Sequence, residues 1–320
     1  MATIKEIAER AHVSLATVSR VLNKDKTIVV SDAVRNQIFS IAHEIGYVPV
    51  RLRHLSSGDG ITIGVADWHI IRQECTNQKL SDLSEMAAQY CKFPVRFVRM
   101  FYEQEAEVDG IIALGDFSES ETDFLKRQSY SIIFVGSSRK DYQYDRILID
   151  YEEGMKEMLS FFLKEGFDSI GYIGGIYQNE KVTIGKKRMQ TFQKLLEDRE
   201  VFLEEFFFTG ELSKESGYEM IRVADKLPQV LLIGSDELTE GVLAALRERA
   251  VEPGKHIRLV IYKDIETAPF MSCDQDTVQI YTDFMWKSAL QSLLDRVRRK
   301  RIEVITMVFP ARFQRAVKNG

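Results

Sequence analysis

The sequence predicts a small all-α head followed by an α/β body of two doubly wound parallel-sheet subdomains. Three observations carry that reading. The first 46 residues contain three short amphipathic segments, each preceded by a Thr or Ser suited to capping a helix. From residue 61, short runs rich in Ile and Val alternate with helical stretches, the pattern of parallel strands covered on both faces. Charge is divided between the two regions. Residues 1–58 hold eight Lys and Arg against five Asp and Glu, a net +3, whereas the 320-residue chain carries −5, leaving −8 for the rest. A basic head on an acidic body suits a module that meets a polyanion while the body avoids it.

In the head, Thr3 precedes "IKEIAERA" with Glu6 three residues later, a capping-box spacing. Ile4, Ile7, Ala8 and Ala11 fall on one face of this first helix. A turn at His12–Val13 follows, and Ser14 caps a second helix running to about Asn23, with Val18, Val21 and Leu22 inward. Ser31 caps a third, from about Asp32 to Ile45, with Val34, Ile38, Ile41 and Ile45 inward, and Gly46 stops it.

Two short helices joined by a tight turn and braced by a third form a helix-turn-helix plan. A helix that enters the major groove must be slim and free of acid near phosphates. By helical spacing Leu15, Ala16 and Arg20 point outward towards base edges, while Ser14, Thr17, Ser19 and Asn23 are placed for phosphates. Pattern alone leaves a second reading open, a capped surface helix in a small bundle.

The stretch "ATIKEIAERAHVSLATVSRVLN" and the later "IGYVP" resemble the head of the lactose/galactose repressor family of bacterial transcription regulators. The resemblance implies base-reading positions at Leu15, Ala16 and Arg20. It also implies a DNA-contacting set of Thr3, Ser14, Thr17, Ser19, Asn23, Tyr47, Arg51, Arg53 and Leu55. In the family the stretch after "GYVP", here "VRLRHLSSGDG", becomes a hinge helix whose leucine wedges into a minor-groove step. Leu55 corresponds to that wedge. This chain departs from the pattern in three places. His12 replaces the usual turn Gly or Asn, Leu52 stands where a small alanine is typical, and the segment between Pro49 and Leu55 is one residue short. A plain flexible linker is the competing reading of this segment.

In the body the strand-like runs are "ITIGVAD", "PVRFVRMF", "GIIALGD", "SIIFVGS", "SIGYIGG", "QVLLIGSD" and "IRLVIYKD". Little room remains between the second and third for a crossover helix. The resemblance implies a periplasmic-binding-protein-like body whose halves exchange chain three times and enclose a cleft. The expected divisions are 1–46 for the head, 47–59 for the hinge and 60–320 for the effector-binding and dimerisation domain. Within the last, one subdomain spans about 60–154 and 279–300, the other about 155–278 and 301–320.

Ligands in such folds bind beyond the C-terminal ends of strands. The candidate effector residues there are Trp68, Asp116, Arg188, Asp236 and Asp264. Carboxylates accept from sugar hydroxyls, and an aromatic such as Trp68 or Phe270 stacks on the ring. The resemblance implies that Arg188, in "GKKRMQTF", is the sugar clamp; a solvated helix charge beside Lys186 and Lys187 is the other reading. Asp236 either faces ligand or caps the following helix. Asp264 corresponds to the second acid of a family pair whose first position is Lys263 here, a change that would suit an anionic or phosphorylated sugar.

No nucleotide-binding glycine fingerprint, GK[ST] loop, HExxH or GxSxG is present, so neither an enzyme nor a cofactor is expected. Three scattered cysteines, Cys75, Cys91 and Cys273, fit a reducing compartment and lack metal spacing. With no signal-like N-terminus and no long apolar run, the expectation is a cytoplasmic protein without membrane contact. The basic run "RVRRKR" (296–301) reads as a helix end, with a second nucleic-acid patch as the competitor. The partners expected are double-stranded operator DNA, a small carbohydrate of galactoside or related metabolism and, lacking a terminal heptad repeat, a second copy in a homodimer. Control by a phosphosugar or a partner-protein corepressor is the alternative.

Overall fold

In the computed structural model, residues 3–23, 25, 27–47, 60–67, 74–115, 117–136, 144–178, 183–263, 275–280, 282–299 and 301–316 are described. They fall into two compact units. The first comprises residues 1–148 and 283–307, the second residues 149–282 and 308–320. The chain passes between them three times.

The first unit begins with the head, formed by α1 (Ile4–Ala11), α2 (Leu15–Leu22) and α3 (Asp32–Glu44). Local chemistry sets each boundary. Thr3 accepts from the Glu6 amide and Ser14 from the Thr17 amide, each satisfying a donor that the first helical turn leaves over. His12 ends α1 at φ 53°, ψ 41°, the left-handed conformation the turn requires. Ile7, Ala8, Ala11, Val18, Val21, Leu22, Ile38, Phe39, Ile41, Ala42 and Tyr47 make a continuous head core. The inward faces expected of the first two helices are therefore the observed ones. In the third, Val34 and Ile45 are half-buried, and Phe39 and Ala42 complete the face.

The same unit carries a six-stranded sheet in the order β12-β5-β4-β3-β1-β2. Its strands are β1 (Ile61–Ala66), β2 (Val95–Met100), β3 (Gly110–Leu114), β4 (Ile132–Val135), β5 (Asp145–Asp150) and β12 (Thr306–Pro310). The pairs β1–β2, β1–β3, β3–β4 and β4–β5 are all parallel. The helices are α4 (Glu74–Tyr90), α5 (Glu119–Gln128) and α10 (Thr282–Arg299). β2 and β3 flank β1, and the segment 101–109 joins them without a helix, as the short spacing predicts. Ser118 and Glu121 build a complete capping box at the start of α5.

The second unit holds a seven-stranded sheet ordered β13-β11-β10-β9-β6-β7, with β8 also paired to β6. Its strands are β6 (Ile170–Gln178), β7 (Thr183–Ile184), β8 (Phe207–Glu211), β9 (Val230–Ile233), β10 (Arg258–Lys263), β11 (Asp276–Gln279) and β13 (Arg312–Gln314). Four pairs are parallel, while β7 and β13 run antiparallel to their neighbours. The helices are α6 (Tyr151–Lys164), α7 (Lys186–Glu197), α8 (Lys214–Val223) and α9 (Asp236–Glu248). Ile173, Leu231, Ile233, Leu238, Val242, Leu246, Leu259 and Ile261 are at most 1% exposed and form the core between sheet and helices. All seven strand-like runs of the sequence are strands; β5, β7, β8, β11, β12 and β13 are additional.

Candidate functional site

The outer face of α2 is the first candidate. Leu15 is 53% exposed, Ala16 and Arg20 are exposed, and no acid lies in the helix's first turn. The hydroxyls beside them are already engaged. Ser14 Oγ accepts from the Thr17 amide at 3.0 Å and shares a hydrogen with Thr17 Oγ1 at 2.8 Å. The Asn23 amide donates to the Ser19 carbonyl at 2.9 Å. Arg20 Nε donates to Asp25 Oδ2 at 2.8 Å and its Nη2 to Thr27 Oγ1 at 2.5 Å. Ser14, Leu15, Ala16, Thr17, Ser19, Arg20 and Asn23 thus lie on α2 and its two caps, while Thr3 caps the start of α1. Tyr47, the remaining described member of the expected DNA-contacting set, follows Gly46 at the end of α3; it is 4% exposed and packs in the head core. Arg51, Arg53 and Leu55 lie outside the described residues.

The second candidate lies at strand ends of the second unit. Arg188, in the first turn of α7, is only 6% exposed, whereas Lys186 and Lys187 beside it are exposed. Its guanidinium carbon sits 4.2 Å from the Tyr262 ring centroid and 5.9 Å from that of Tyr151, and Nη1 donates to the Gly234 carbonyl. The reading of Arg188 as a solvated helix charge is therefore set aside. Gly185 makes this placement possible: it starts α7 at φ +87°, and a Cβ there would run into the Gly175 carbonyl.

Gly234 leads directly into Ser235, the N-cap of α9, and Asp236, its first helical residue. Asp236 is thus not the cap. Ser235 is 4% exposed, and its hydroxyl neither caps the helix nor meets any partner among the described residues. A buried hydroxyl without a partner is costly, so this is a position where a polar ligand would be stabilising. Lys263 closes β10, next to Tyr262. Arg188, Ser235, Asp236, Tyr151, Tyr262 and Lys263 all belong to one unit. Trp68, Asp116 and Asp264 lie outside the described residues. The described residues contain no cluster of three metal-ligating side chains.

In the basic run at 296–301, Arg296, Arg298 and Arg301 serve the fold. Arg296 and Arg301 both turn onto Asp145, which is fully buried and also accepts from Ser292 at 2.7 Å and from the Ile305 amide at 3.0 Å. Arg298 lies over the Phe93 ring.

Residues 3–50 match the family described as bacterial regulatory proteins, lacI family, and residues 159–315 match the periplasmic binding protein-like domain. The transcriptional repressor MelR of Bacillus subtilis is 30% identical over 319 residues, 93% of this chain and 92% of that one. The chain belongs to the LacI family. Another relative of this LacI-family regulator is the transcriptional regulator GalR of Lacticaseibacillus casei, 27% identical over 93% of both chains. The Lac repressor dimer bound to operator and the anti-inducer ONPF shares its fold, with TM-score 0.61 and 18% identity over 98% of both chains. The CelR–cellobiose complex does likewise, at TM-score 0.59 and 19% identity over 99% of both. As a LacI-family member the chain is a helix-turn-helix, DNA-binding transcription regulator with a periplasmic-binding-protein-like body.

Some site features of this LacI-family chain escape a sequence reading. Tyr151 and Tyr262 come from α6 and β10, far from Arg188 in sequence, and nothing local marks them as its neighbours. The Asp25 clasp on Arg20 was detectable, since an acid five residues beyond an exposed arginine at a helix end is within reach.

Proposed function

We propose that this regulator is a homodimeric repressor that reads a near-palindromic operator through α2 and is controlled by a small carbohydrate held in the second unit. The observation that carries the DNA reading is an exposed α2 face of Leu15, Ala16 and Arg20 without acid in its first turn, fixed by the left-handed His12 turn. Leu15 and Ala16 supply apolar contact to a base edge and Arg20 a directional donor. Thr3, Ser14, Thr17, Ser19 and Asn23 serve phosphates, with Arg51, Arg53 and Leu55 following at the hinge. Arg20→Ala should weaken specific binding by roughly 1–3 kcal/mol and spare most non-specific affinity. An equal fall in both would make Arg20 a phosphate contact.

For the effector, a buried arginine stacked on tyrosine, an unpartnered serine hydroxyl and an adjacent carboxylate match the alternating donors and acceptors of a polyol. The test is a thermal-shift screen against galactosides, other sugars and sugar phosphates, with each hit assayed for release of a selected operator duplex. A neutral sugar that stabilises the protein and weakens DNA binding supports induction. Lys263, beside Tyr262 at the end of β10, favours a second reading in which the sugar is phosphorylated. Stabilisation by phosphosugars alone would select it. No response to either class would leave a partner-protein corepressor as the better account.

A further inference from the structure

The head meets its own body at a surface that the operator and effector readings do not use. Asn36, on α3, donates through Nδ2 to Asp123 Oδ2 at 3.2 Å and accepts through Oδ1 from Arg127 Nη1 at 2.9 Å. Asp123 and Arg127 stand four residues apart on α5, one turn of helix, so a single amide is matched at both ends by an acid and a base in the correct order. Lys126 pairs with Asp123 at 3.5 Å, holding the carboxylate in place.

Beside this contact, Tyr130 inserts between head and body. Its ring centroid lies 5.6 Å from that of Phe39. Its hydroxyl donates to the Leu22 carbonyl at 3.1 Å. Leu22 is the last residue of α2, and its carbonyl has no donor within the helix. A body residue 108 positions away therefore finishes the reading helix. Further along, a Cβ on Gly46 would lie 2.9 Å from Ile302, so the chain leaves the head against the body as well.

The dock covers α3 and the C-terminal end of α2, and leaves Leu15, at 53% exposure, outside it. It does not compete with the reading face. We propose that α5 and Tyr130 form a dock that presets the orientation of the reading helix on its own body, so that the head reaches DNA already aligned. The proposal rests on the DNA reading for its consequence, but not for the dock itself.

The test is made on the full-length protein, comparing wild type with Asn36→Ala, Tyr130→Phe and the double variant. Tyr130→Phe keeps the ring and removes the hydroxyl that donates to Leu22; Asn36→Ala is a half-exposed change that leaves both cores intact. The first readout is the NMR linewidth of head amides such as Val18 and Val21. Broad signals in wild type, characteristic of the whole particle, should sharpen in the double variant as the head tumbles independently. Sharp head signals in wild type would overturn the dock. The second readout is affinity for a selected operator duplex, expected to fall roughly 3- to 10-fold in the double variant as lost pre-alignment is met on binding. A rise in affinity would overturn presetting, since the dock would then oppose DNA binding. If no duplex is bound by any form, the linewidths still decide the dock while the DNA reading fails.

Discussion

Arg20 and Asp25 form an ion pair at the end of the reading helix, Nε to Oδ2 at 2.8 Å, and the Thr27 hydroxyl bonds to both partners. Hydrogen bonds from Thr27 and then from Arg20 hold the Asp25 carboxyl at about 2, so the pair is ionised at any working pH. One side chain that would read a base is thus kept in a single position by an acid that would otherwise repel the duplex.

Asp25→Asn should separate those two effects. The amide keeps the shape of the clasp but not its charge, so Arg20 becomes mobile while the head gains net positive charge. Non-specific affinity should rise, and the ratio of specific to non-specific binding should fall roughly tenfold. Titrations of a selected operator and a scrambled duplex at several salt concentrations check this. An unchanged ratio would mean that the clasp does not position Arg20.

Ser14 has two candidate duties, capping α2 and meeting phosphate. Ser14→Ala should lower head stability by about 1 kcal/mol through loss of the bond from the Thr17 amide. Ser14→Asp restores the cap but sets a carboxylate near the phosphates. The expected result is normal amide-exchange protection in α2 together with weaker DNA binding. Normal DNA binding by the Asp variant would leave Ser14 a cap and nothing more.

Arg188→Met keeps a long side chain against Tyr262 and removes the donor to Gly234. A charged hydrogen bond from the guanidinium to a sugar hydroxyl contributes about 1.5–3 kcal/mol, so with that donor also gone effector affinity should drop roughly 10- to 100-fold. Calorimetric titration of a hit from the sugar screen measures it. Retained affinity would move the clamp to another residue.

Asp145 makes stability depend on acid. Burial would raise its carboxyl, but hydrogen bonds from Arg301, Arg296 and the Ile305 amide outweigh it and hold the group at about 2, against 3.8 ordinarily. A depressed carboxyl stabilises the fold above its unfolded value. About 2 kcal/mol should therefore be present above pH ~4 and be lost as the pH falls through about 2. Urea midpoints between pH 2 and 7 read this directly. Asp145→Asn should flatten that limb and cost about 3 kcal/mol at neutral pH, because two arginines lose their counter-charge.

The head was readable from sequence because its determinants are local. Thr3, Ser14 and His12 act on residues within three or four positions, and periodicity places Val18, Val21 and Leu22 inward. The hydrophobic strands were readable for the same reason. β5, β11 and β13 were less so: "DRILID" alternates buried and half-buried positions, and "DTVQ" and "RFQ" are too short and polar to stand out. The candidate effector site was legible in Arg188 and Asp236 but not in their neighbours. Tyr262 meets Arg188 only through the order of strands in the sheet, and "RVRRKR" gave no sign of Asp145, 151 residues before Arg296. The packing of Tyr47 in the head core was not legible either, because a tyrosine after a helix-ending glycine suits a core as well as a phosphate.

The Tyr130 bond to Leu22 bears on how such regulators are recombined. A head transplanted onto a foreign body arrives with its last α2 carbonyl uncapped, unless the recipient supplies a hydroxyl at the corresponding place. Grafting this head while carrying Tyr130, Asp123 and Arg127 across with it would transfer the seam as well as the module, so the natural unit of exchange is discontinuous in sequence.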